Sequence, residues 1–350
     1  MTTPFVVSPL QAAIVKLAHH SPITGDDAAE AFDVIMRGEA TELQVAALLT
    51  GLRVRGESSE IVAGVVRALR KVMIRLPAKN PDELVDTCGT GGGAVTTFNI
   101  STAAALLAAG AGVRIAKHGN RSFTSRCGSA DVLEALGIQL DAPLETMAAA
   151  LEVAGIVFMY APLMHPAMRH VGPVRRELAI PTVMNVVGPL ANPAGARRQV
   201  VGVADPQRVP ILAGALLDLD SLHSMVVHGE PGLDEISPLG PTRVVEVSDG
   251  KTREWTIDPE EFGYRGFAPE DLAGGDSTDN ARIITETLTS GRSNAGSAAA
   301  RAAVTLNAAA AIYVSGKVAS YSDGVALAKE ALEGGAGLAA LERLRRAYAA

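Results

Sequence analysis

Two glycine-bearing segments, GTGGG at 89–93 and KHGNRS at 117–122, carry the residue types of an oxyanion site. Glycine frees backbone N–H groups to approach a phosphate, and such groups aimed along a helix start form an anion cradle. KHGNRS adds side-chain donors from Lys117, His118, Asn120, Arg121 and Ser122 on one loop, with Ser125 and Ser129 close behind. Clustered cationic and hydroxyl donors suit an oxygen-rich, multiply charged ligand. Asp234 and Glu235 bring two hard carboxylates just past the turn HGEPG at 228–232. Alone they read as a solvated turn. Beside a polyphosphate they, with a hydroxyl such as Ser101, match what Mg²⁺ takes: a few oxygens, several waters and substrate phosphates. A third cluster, at 165–193, sets Arg169, Arg175 and Arg176 among Met168, Val171 and Pro173. A guanidinium fork beside apolar surface suits an aromatic carboxylate, although an amphipathic helix with arginines in water explains the pattern as well.

The elements that must position these residues are legible from periodicity. Short apolar runs precede both glycine segments, Leu84 to Cys88 and Val113 to Ala116, and read as buried strands. Each glycine segment then falls at the carboxyl end of a strand, the edge of an open α/β sheet where ligands bind. Asn99-Ile100-Ser101-Thr102 before Ala103 to Ala109 predicts a helix with hydroxyl caps, and Ser129 before Asp131-Val132-Leu133-Glu134 predicts another. Further β-rich runs, at Ile156 to Tyr160, Gln199 to Val203 and Ser224 to His228, alternate with helical patterns and imply βαβ units around a mostly parallel sheet. Residues 242–257 predict a hairpin turning at Asp249-Gly250, so the sheet is expected to be mixed. The alanine-rich run 297–312 reads as a buried helix. Upstream, 8–20, 26–36, 40–54 and 58–75 repeat apolar residues at helical spacing with no strand between them. The Pro- and charge-rich LPAKNPDEL at 76–84 reads as a linker. The fold class is therefore α/β, a small all-helical N-terminal domain plus a larger domain with a mostly parallel mixed sheet flanked by helices.

With 48% hydrophobic and 20% charged residues among 350, the chain can bury a large core, which excludes a disordered one. A net charge of −7 argues against nucleic-acid and anionic-membrane partners and for a small ligand. Met1 to Leu10 lacks the Lys or Arg of a secretory signal, and no run of about 20 apolar residues occurs. Cys88 and Cys127, the only cysteines, read as free thiols, and the expected location is the cytoplasm. Cys88 reads as a small buried thiol at a strand end rather than a nucleophile. No two histidines show the HxxxH-type spacing suited to zinc.

In order along the chain, GTGGG…TFNIST (89–102), KHGNRS (117–122), CGSADVLEALG (127–137), RHVGPVRREL (169–178), NVVGPLANP (185–193) and GLDEIS (232–237) resemble the anthranilate phosphoribosyltransferase family. The resemblance runs over essentially the whole chain. It implies a helical domain over 1–78, rejoined by part of 165–190, an α/β domain over 79–350, and a homodimer formed through the helical domains. It implies transfer of phosphoribosyl from 5-phosphoribosyl-1-diphosphate to anthranilate with loss of pyrophosphate. The donor would be held by Gly89, Gly92, Gly93, Thr97, Asn99, Ile100, Ser101, Thr102, Lys117, His118, Gly119, Asn120, Arg121, Ser122, Phe123, Thr124, Ser125 and Ser129. Anthranilate would be held by Gly89, Asn120 and Arg175, and two Mg²⁺ by Ser101, Asp234 and Glu235.

Two positions depart from the family pattern. The first loop commonly reads GTGGD there, and glycine at 93 removes a carboxylate. Ala302 stands where relatives often carry aspartate, which bears on a structural salt bridge rather than on catalysis. His118 either accepts a proton late or lines the acceptor pocket, and the second role is preferred. GTGGG alone also suits a pyrimidine nucleoside phosphorylase, and a non-catalytic nucleic-acid-binding relative is a further alternative. Phosphorolysis of uridine and salt-dependent DNA binding separate these.

Overall fold

The computed structural model describes residues 7–122, 126–289 and 297–349. Four helices come first: α1 (Pro9–Ala18), α2 (Gly25–Met36), α3 (Glu42–Arg55) and α4 (Ser59–Val72). Each starts on a hydroxyl. Ser8 and Ser58 accept from the backbones of Gln11 and Ile61, while Thr24 with Asp27 and Thr41 with Gln44 close reciprocal capping boxes. The α2–α4 pair packs so closely that a Cβ on Gly64 would lie 2.0 Å from Gly25 O.

The remaining chain builds one seven-stranded sheet from β1 (Leu84–Gly89), β2 (Arg114–Gly119), β3 (Ile156–Tyr160), β4 (Arg198–Gly202), β5 (His223–Gly229), β6 (Thr242–Ser248) and β7 (Lys251–Ile257). Its order is β3-β2-β1-β4-β5-β6-β7; the pairs up to β5 are parallel and the last two antiparallel. Chain direction across the sheet reverses at β1, the kind of switch point beside which loops diverge and ligands enter. Asp249 (φ 50°) and Gly250 (φ 70°) turn the β6–β7 hairpin, the mirror-image turn that matches strand twist.

Among the described residues eleven helices follow α4: α5 (Ile100–Gly110), α6 (Ser129–Ala135), α7 (Leu144–Ala154), α8 (Ala161–Met164), α9 (Gly172–Leu178), α10 (Met184–Val187), α11 (Val209–Asp218), α12 (Ser277–Leu288), α13 (Ala298–Val314), α14 (Tyr321–Glu333) and α15 (Ala336–Ala349). Two cores form on opposite faces of the sheet. One joins α5, α7, α13, α14 and α15 to Val200, Val227 and Val244. The other joins α1–α4, α11 and Val171 to Ala191 to Val201, Val226 and Val245. Adjacent strand residues thus serve different faces, as period-2 alternation requires. Ala302 is fully buried in α13, at a position where a carboxylate would have no water.

Three sequence expectations need correction. β2 does not stop at Ala116 but runs through Lys117, His118 and Gly119, so these are strand residues, not loop donors. No hydroxyl caps α5: its N-cap is Asn99, without a side-chain cap bond. Ser129 is the first residue of α6; the cap position belongs to Gly128, and Asp131 accepts from Gly128 N at 2.8 Å.

Candidate active site

The glycine loop after β1, the start of α5, the end of β2 and the turn after β5 meet at one edge of the sheet. Asp234 and Glu235 tie them together. Asp234 Oδ2 accepts from Gly91 N at 2.7 Å, and Glu235 Oε1 accepts from Ser101 N at 3.1 Å. A carboxylate therefore occupies the first turn of α5, where the helix dipole and orphan N–H groups favour negative charge. A Cβ on Gly89 would lie 2.4 Å from Asp234 Oδ2, so only glycine lets β1 pass under that carboxylate. Position 93 faces Asp234 Oδ1, where a Cβ would lie at 3.4 Å.

Burial pushes both acids up, and the proximity of Asp234 carries Glu235 to about 8. Two carboxylates so placed lack positive charge. Lys117 supplies some: its Nζ, on a side chain buried within the sheet, donates to Thr87 O at 2.5 Å and to Ser101 Oγ at 3.3 Å. Among the described residues no group of three His, Cys, Asp or Glu side chains could hold a metal ion alone. That donor set, two acids and a hydroxyl, fits Mg²⁺ shared with substrate phosphates and water rather than a closed metal cage.

Neighbouring residues on β2 face opposite ways. His118 lies on the other side of the strand from Lys117, against His165, with ring centroids 5.0 Å apart. The Gly188 backbone stands beside the His118 ring and the Ala191 backbone beside the His165 ring, and in each ring the Nε2 atom has no partner among the described residues. With the carbonyls beside Nδ1, a neutral ring would carry its proton there and turn the Nε2 lone pair toward the pocket. Burial, with His165 adjacent, lowers His118 to about 3; burial lowers His165 to about 4. Both rings are neutral at physiological pH. Below them the buried Asp86 accepts from His118 N at 3.1 Å and from Asn192 Nδ2 at 2.7 Å, and burial raises its carboxyl to about 6.

Other expected residues are placed differently from the sequence reading. Arg121 is committed to Asp131 (2.7 Å) and Glu134 (2.9 Å) and lies over Tyr160, rather than reaching into the cradle. The Asn99 side chain is taken by Cys127 and Asn280. Gly119 comes so close to Ser129 that a Cβ would lie 2.2 Å from its Oγ, while Ser129 donates to Asn120 O. Ser122 N is held by Asp131. Gly92 is exposed, Thr97 half-buried, and Ile100 and Thr102 buried in the first turn of α5. Phe123, Thr124 and Ser125 lie outside the described residues. Of the three arginines at 169–176, Arg169 and Arg176 are exposed; Arg175 is partly buried, with its pKa lowered by burial. Burial raises the Cys88 thiol well above its usual value, which removes it as a nucleophile.

Sequence reasoning missed Asp86, His165, Asn192 and Asn307 as site-supporting residues. Asn307 brackets Ile236, accepting from its N–H at 2.9 Å and donating to its carbonyl at 2.8 Å, and so fixes the residue after Glu235. The available signal was an acid or amide inside an otherwise apolar stretch, as at Asp86 and Asn307.

Comparison with known proteins is consistent along the chain. A family described as "Glycosyl transferase family, helical bundle domain" matches residues 11–73, and "Glycosyl transferase family, a/b domain" matches residues 81–338. An anthranilate phosphoribosyltransferase of Rubrobacter xylanophilus is 52% identical over 337 residues, covering 96% of this chain and 97% of that protein. One of Thermomicrobium roseum is 49% identical over 323 residues, 91% of each. The crystal structure of the Thermus thermophilus anthranilate phosphoribosyltransferase superposes with a TM-score of 0.89 at 42% identity, covering 97% of this chain and 99% of that one. The Saccharomyces cerevisiae enzyme, solved in complex with PRPP and Mg, superposes with a TM-score of 0.85 at 27% identity over 97% and 98%.

Proposed function

The chain belongs to the glycosyl transferase family that joins a helical bundle to an α/β domain, and we propose that its sheet-edge cradle and its histidine pocket divide one reaction between them. That reaction is transfer of the phosphoribosyl group of 5-phosphoribosyl-1-diphosphate to the amine of anthranilate, with release of pyrophosphate, in tryptophan biosynthesis. One observation carries the division: Lys117 and His118, consecutive on β2, point to opposite faces, one toward Ser101 and the acids, the other toward His165.

On the donor side, the 89–93 loop and the α5 start offer backbone N–H groups to phosphate oxygens. Ser101, Asp234 and Glu235 are the residues that would hold Mg²⁺, two ions per subunit by the resemblance. When bound, Mg²⁺ neutralises charge on the leaving pyrophosphate. Loss of pyrophosphate from the anomeric carbon leaves an oxocarbenium-like centre, so catalysis is mainly charge stabilisation and alignment of the nucleophile.

On the acceptor side, Arg175 supplies the guanidinium for the anthranilate carboxylate, with Gly89 and Asn120 as neighbours of the bound acceptor. The arylamine is already unprotonated at neutral pH and needs no strong base before attack. The bare Nε2 atoms of His118 and His165 match an amine that presents N–H donors. Neutral rings with such low basicity orient the amine rather than deprotonate it.

Limits of 1–78 and 79–350 for the two domains, with part of 165–190 returning to the first, are supported by the packing of Val171, Val174, Val183 and Val187 into the helical core. A homodimer through the helical bundle is supported by Val15, Leu43 and Val54, which are 48%, 84% and 80% exposed. A cytoplasmic location accords with the free thiols of Cys88 and Cys127; among the described residues no helix is long and apolar enough to cross a membrane.

The test is loss of anthranilate fluorescence with purified protein, anthranilate, 5-phosphoribosyl-1-diphosphate and Mg²⁺. Loss that requires every component supports the assignment. A folded protein that leaves the fluorescence unchanged under all conditions refutes it.

A further inference from the structure

The two pocket histidines lie against a single short strap, residues 188–192. Gly188 stands beside the His118 ring and Ala191 beside the His165 ring; Pro189 O accepts from Gln199 Nε2 at 2.8 Å, and Asn192 Nδ2 donates to Ala116 O and to Asp86, whose other carboxylate oxygen accepts from His118 N at 3.1 Å. The middle carbonyl, Leu190 O, is taken from outside the α/β domain. Arg70, in the last turn of α4, donates to it from Nε at 3.1 Å and from Nη2 at 2.7 Å.

Arg70 is an unusual choice for holding one neutral carbonyl. Its guanidinium is largely buried and forms no ion pair among the described residues; burial, then the charges of Arg75 and Arg197, lower its pKa to about 10, with only Asp220 acting the other way. A charge kept out of water among like charges is costly, and a simple tie between helices would be made by apolar packing instead. What the guanidinium supplies and apolar packing does not is a two-pronged grip on an oxygen atom, which fixes the strap in angle as well as position.

We propose that Arg70 is a positioning residue for the acceptor: from the helical bundle it fixes Leu190, and through the 188–192 strap it sets the two histidine rings that line the acceptor pocket. This rests on the reading of His118 and His165 as acceptor-side residues. Arg70 touches neither the donor loop nor the two acids, so its first effect is expected on the acceptor side.

The test compares Arg70→Met, Arg70→Gln and Arg70→Lys in the full chain. For Arg70→Met the KM for anthranilate should rise about tenfold, as expected for loss of charge-assisted hydrogen bonds, while the KM for 5-phosphoribosyl-1-diphosphate stays within about twofold. Arg70→Lys, which keeps a charged donor, should recover most of that loss. Ring ¹⁵N shifts give a second readout that needs no activity: the wild type should show His118 and His165 as fixed Nδ1–H tautomers, and Arg70→Gln should show mixed ones. If both KM values rise together, or neither moves while thermal stability falls, Arg70 only holds the domains together and the proposal is overturned. Should the Met variant fail to fold, unchanged ring shifts in the Gln variant overturn it equally. If the wild type proves inactive on anthranilate, the functional assignment fails, and the ring shifts still decide whether Arg70 sets the histidines.

Discussion

Replacing Gly202 with alanine tests whether the β4 backbone supports the turn that carries Asp234 and Glu235. A Cβ on Gly202 would lie 1.7 Å from Asp234 O and 2.4 Å from its carbonyl carbon, and ordinary contact begins near 3.4 Å. Both partners are backbone, so no side chain can swing aside. The turn must retreat by about 1.7 Å, the shortfall in contact distance, and carry Asp234 and Glu235 with it. Gly202 O also accepts from Thr90 N at 2.9 Å, so the glycine loop is disturbed by the same change. Misplacing catalytic groups by about an ångström costs about 100-fold in rate, and overpacking costs about 1–3 kcal/mol of stability. Gly202→Ala should therefore lower kcat/KM at least about 100-fold in the fluorescence assay and lower Tm by about 2–8 °C. Gly250→Ala is the matched control. It sits at φ 70° in the β6–β7 turn with nothing within 4 Å, so it introduces backbone strain without collision. It should cost about 1 kcal/mol and leave kcat/KM unchanged. A Gly202→Ala enzyme with wild-type kcat/KM and Tm would refute the claim that β4 supports the acidic turn.

Arg175→Ala should raise the KM for anthranilate about 30-fold or more while sparing the donor KM, since a guanidinium–carboxylate pair is lost; an unchanged anthranilate KM removes Arg175 from that role. Asp234→Asn with Glu235→Gln should abolish Mg²⁺-dependent turnover and calorimetric Mg²⁺ binding yet keep the far-UV spectrum, because amide oxygens can still accept from Gly91 and Ser101; wild-type turnover would place the metal elsewhere. Glu246, 3% exposed, accepts from His223, Arg253, Trp255 and Tyr313 at 2.7–2.9 Å. Burial raises its carboxyl, but the bonds from His223, Arg253 and Tyr313 prevail and hold it at about 2. With its pKa depressed on folding, this acid contributes stability above its unfolded value of about 4.3, and the contribution disappears as pH falls toward 2. Urea denaturation should show Glu246→Gln about 2 kcal/mol less stable at pH 7, after allowance for screening, with the gap narrowing below pH 4. A gap independent of pH would mean that packing, not charge, is what Glu246 contributes.

The elements readable from sequence were those whose signals are local. The apolar periodicity of 8–20, 26–36, 40–54 and 58–75, the Asp249-Gly250 turn and the apolar runs of β3, β4 and β5 each depend on neighbours within a few residues. β2 was cut short because Lys117 is charged, and a charge conventionally ends a buried strand. The strand continues because Thr87 O, Ser101 Oγ and nearby acids, remote in sequence, meet the ammonium. The cap of α5 is hidden for the same reason: a carboxylate from Glu235 reaches its first turn across 134 positions of chain. The cap of α6 is local, Gly128 with Asp131 three residues on, and Ser129 beside it is the more familiar capping residue. The acidic pair and the glycine loop each read alone as an ordinary turn, and it is their meeting at one sheet edge, Asp234 with Gly91 N, that the fold adds. The ion pairs of Arg121 with Asp131 and Glu134 were not legible, because they depend on the fold of α6. His165 and Arg70 carried no local signal, because their roles exist only once the 188–192 strap lies between them.

The alternation of Lys117 and His118 on β2 has a consequence for how such an enzyme can change. Because adjacent side chains face away from each other, substitutions at 118 and 165, on the acceptor side in the function proposed above, would leave the contacts of Ser101, Asp234 and Glu235 in place. Selection for a new nucleophile can therefore act on one face of a strand while the costly apparatus for activating a sugar diphosphate is inherited intact from the other. The scaffold is in this sense modular at the scale of one residue, and the thickness of a single β-strand is the wall between its two modules.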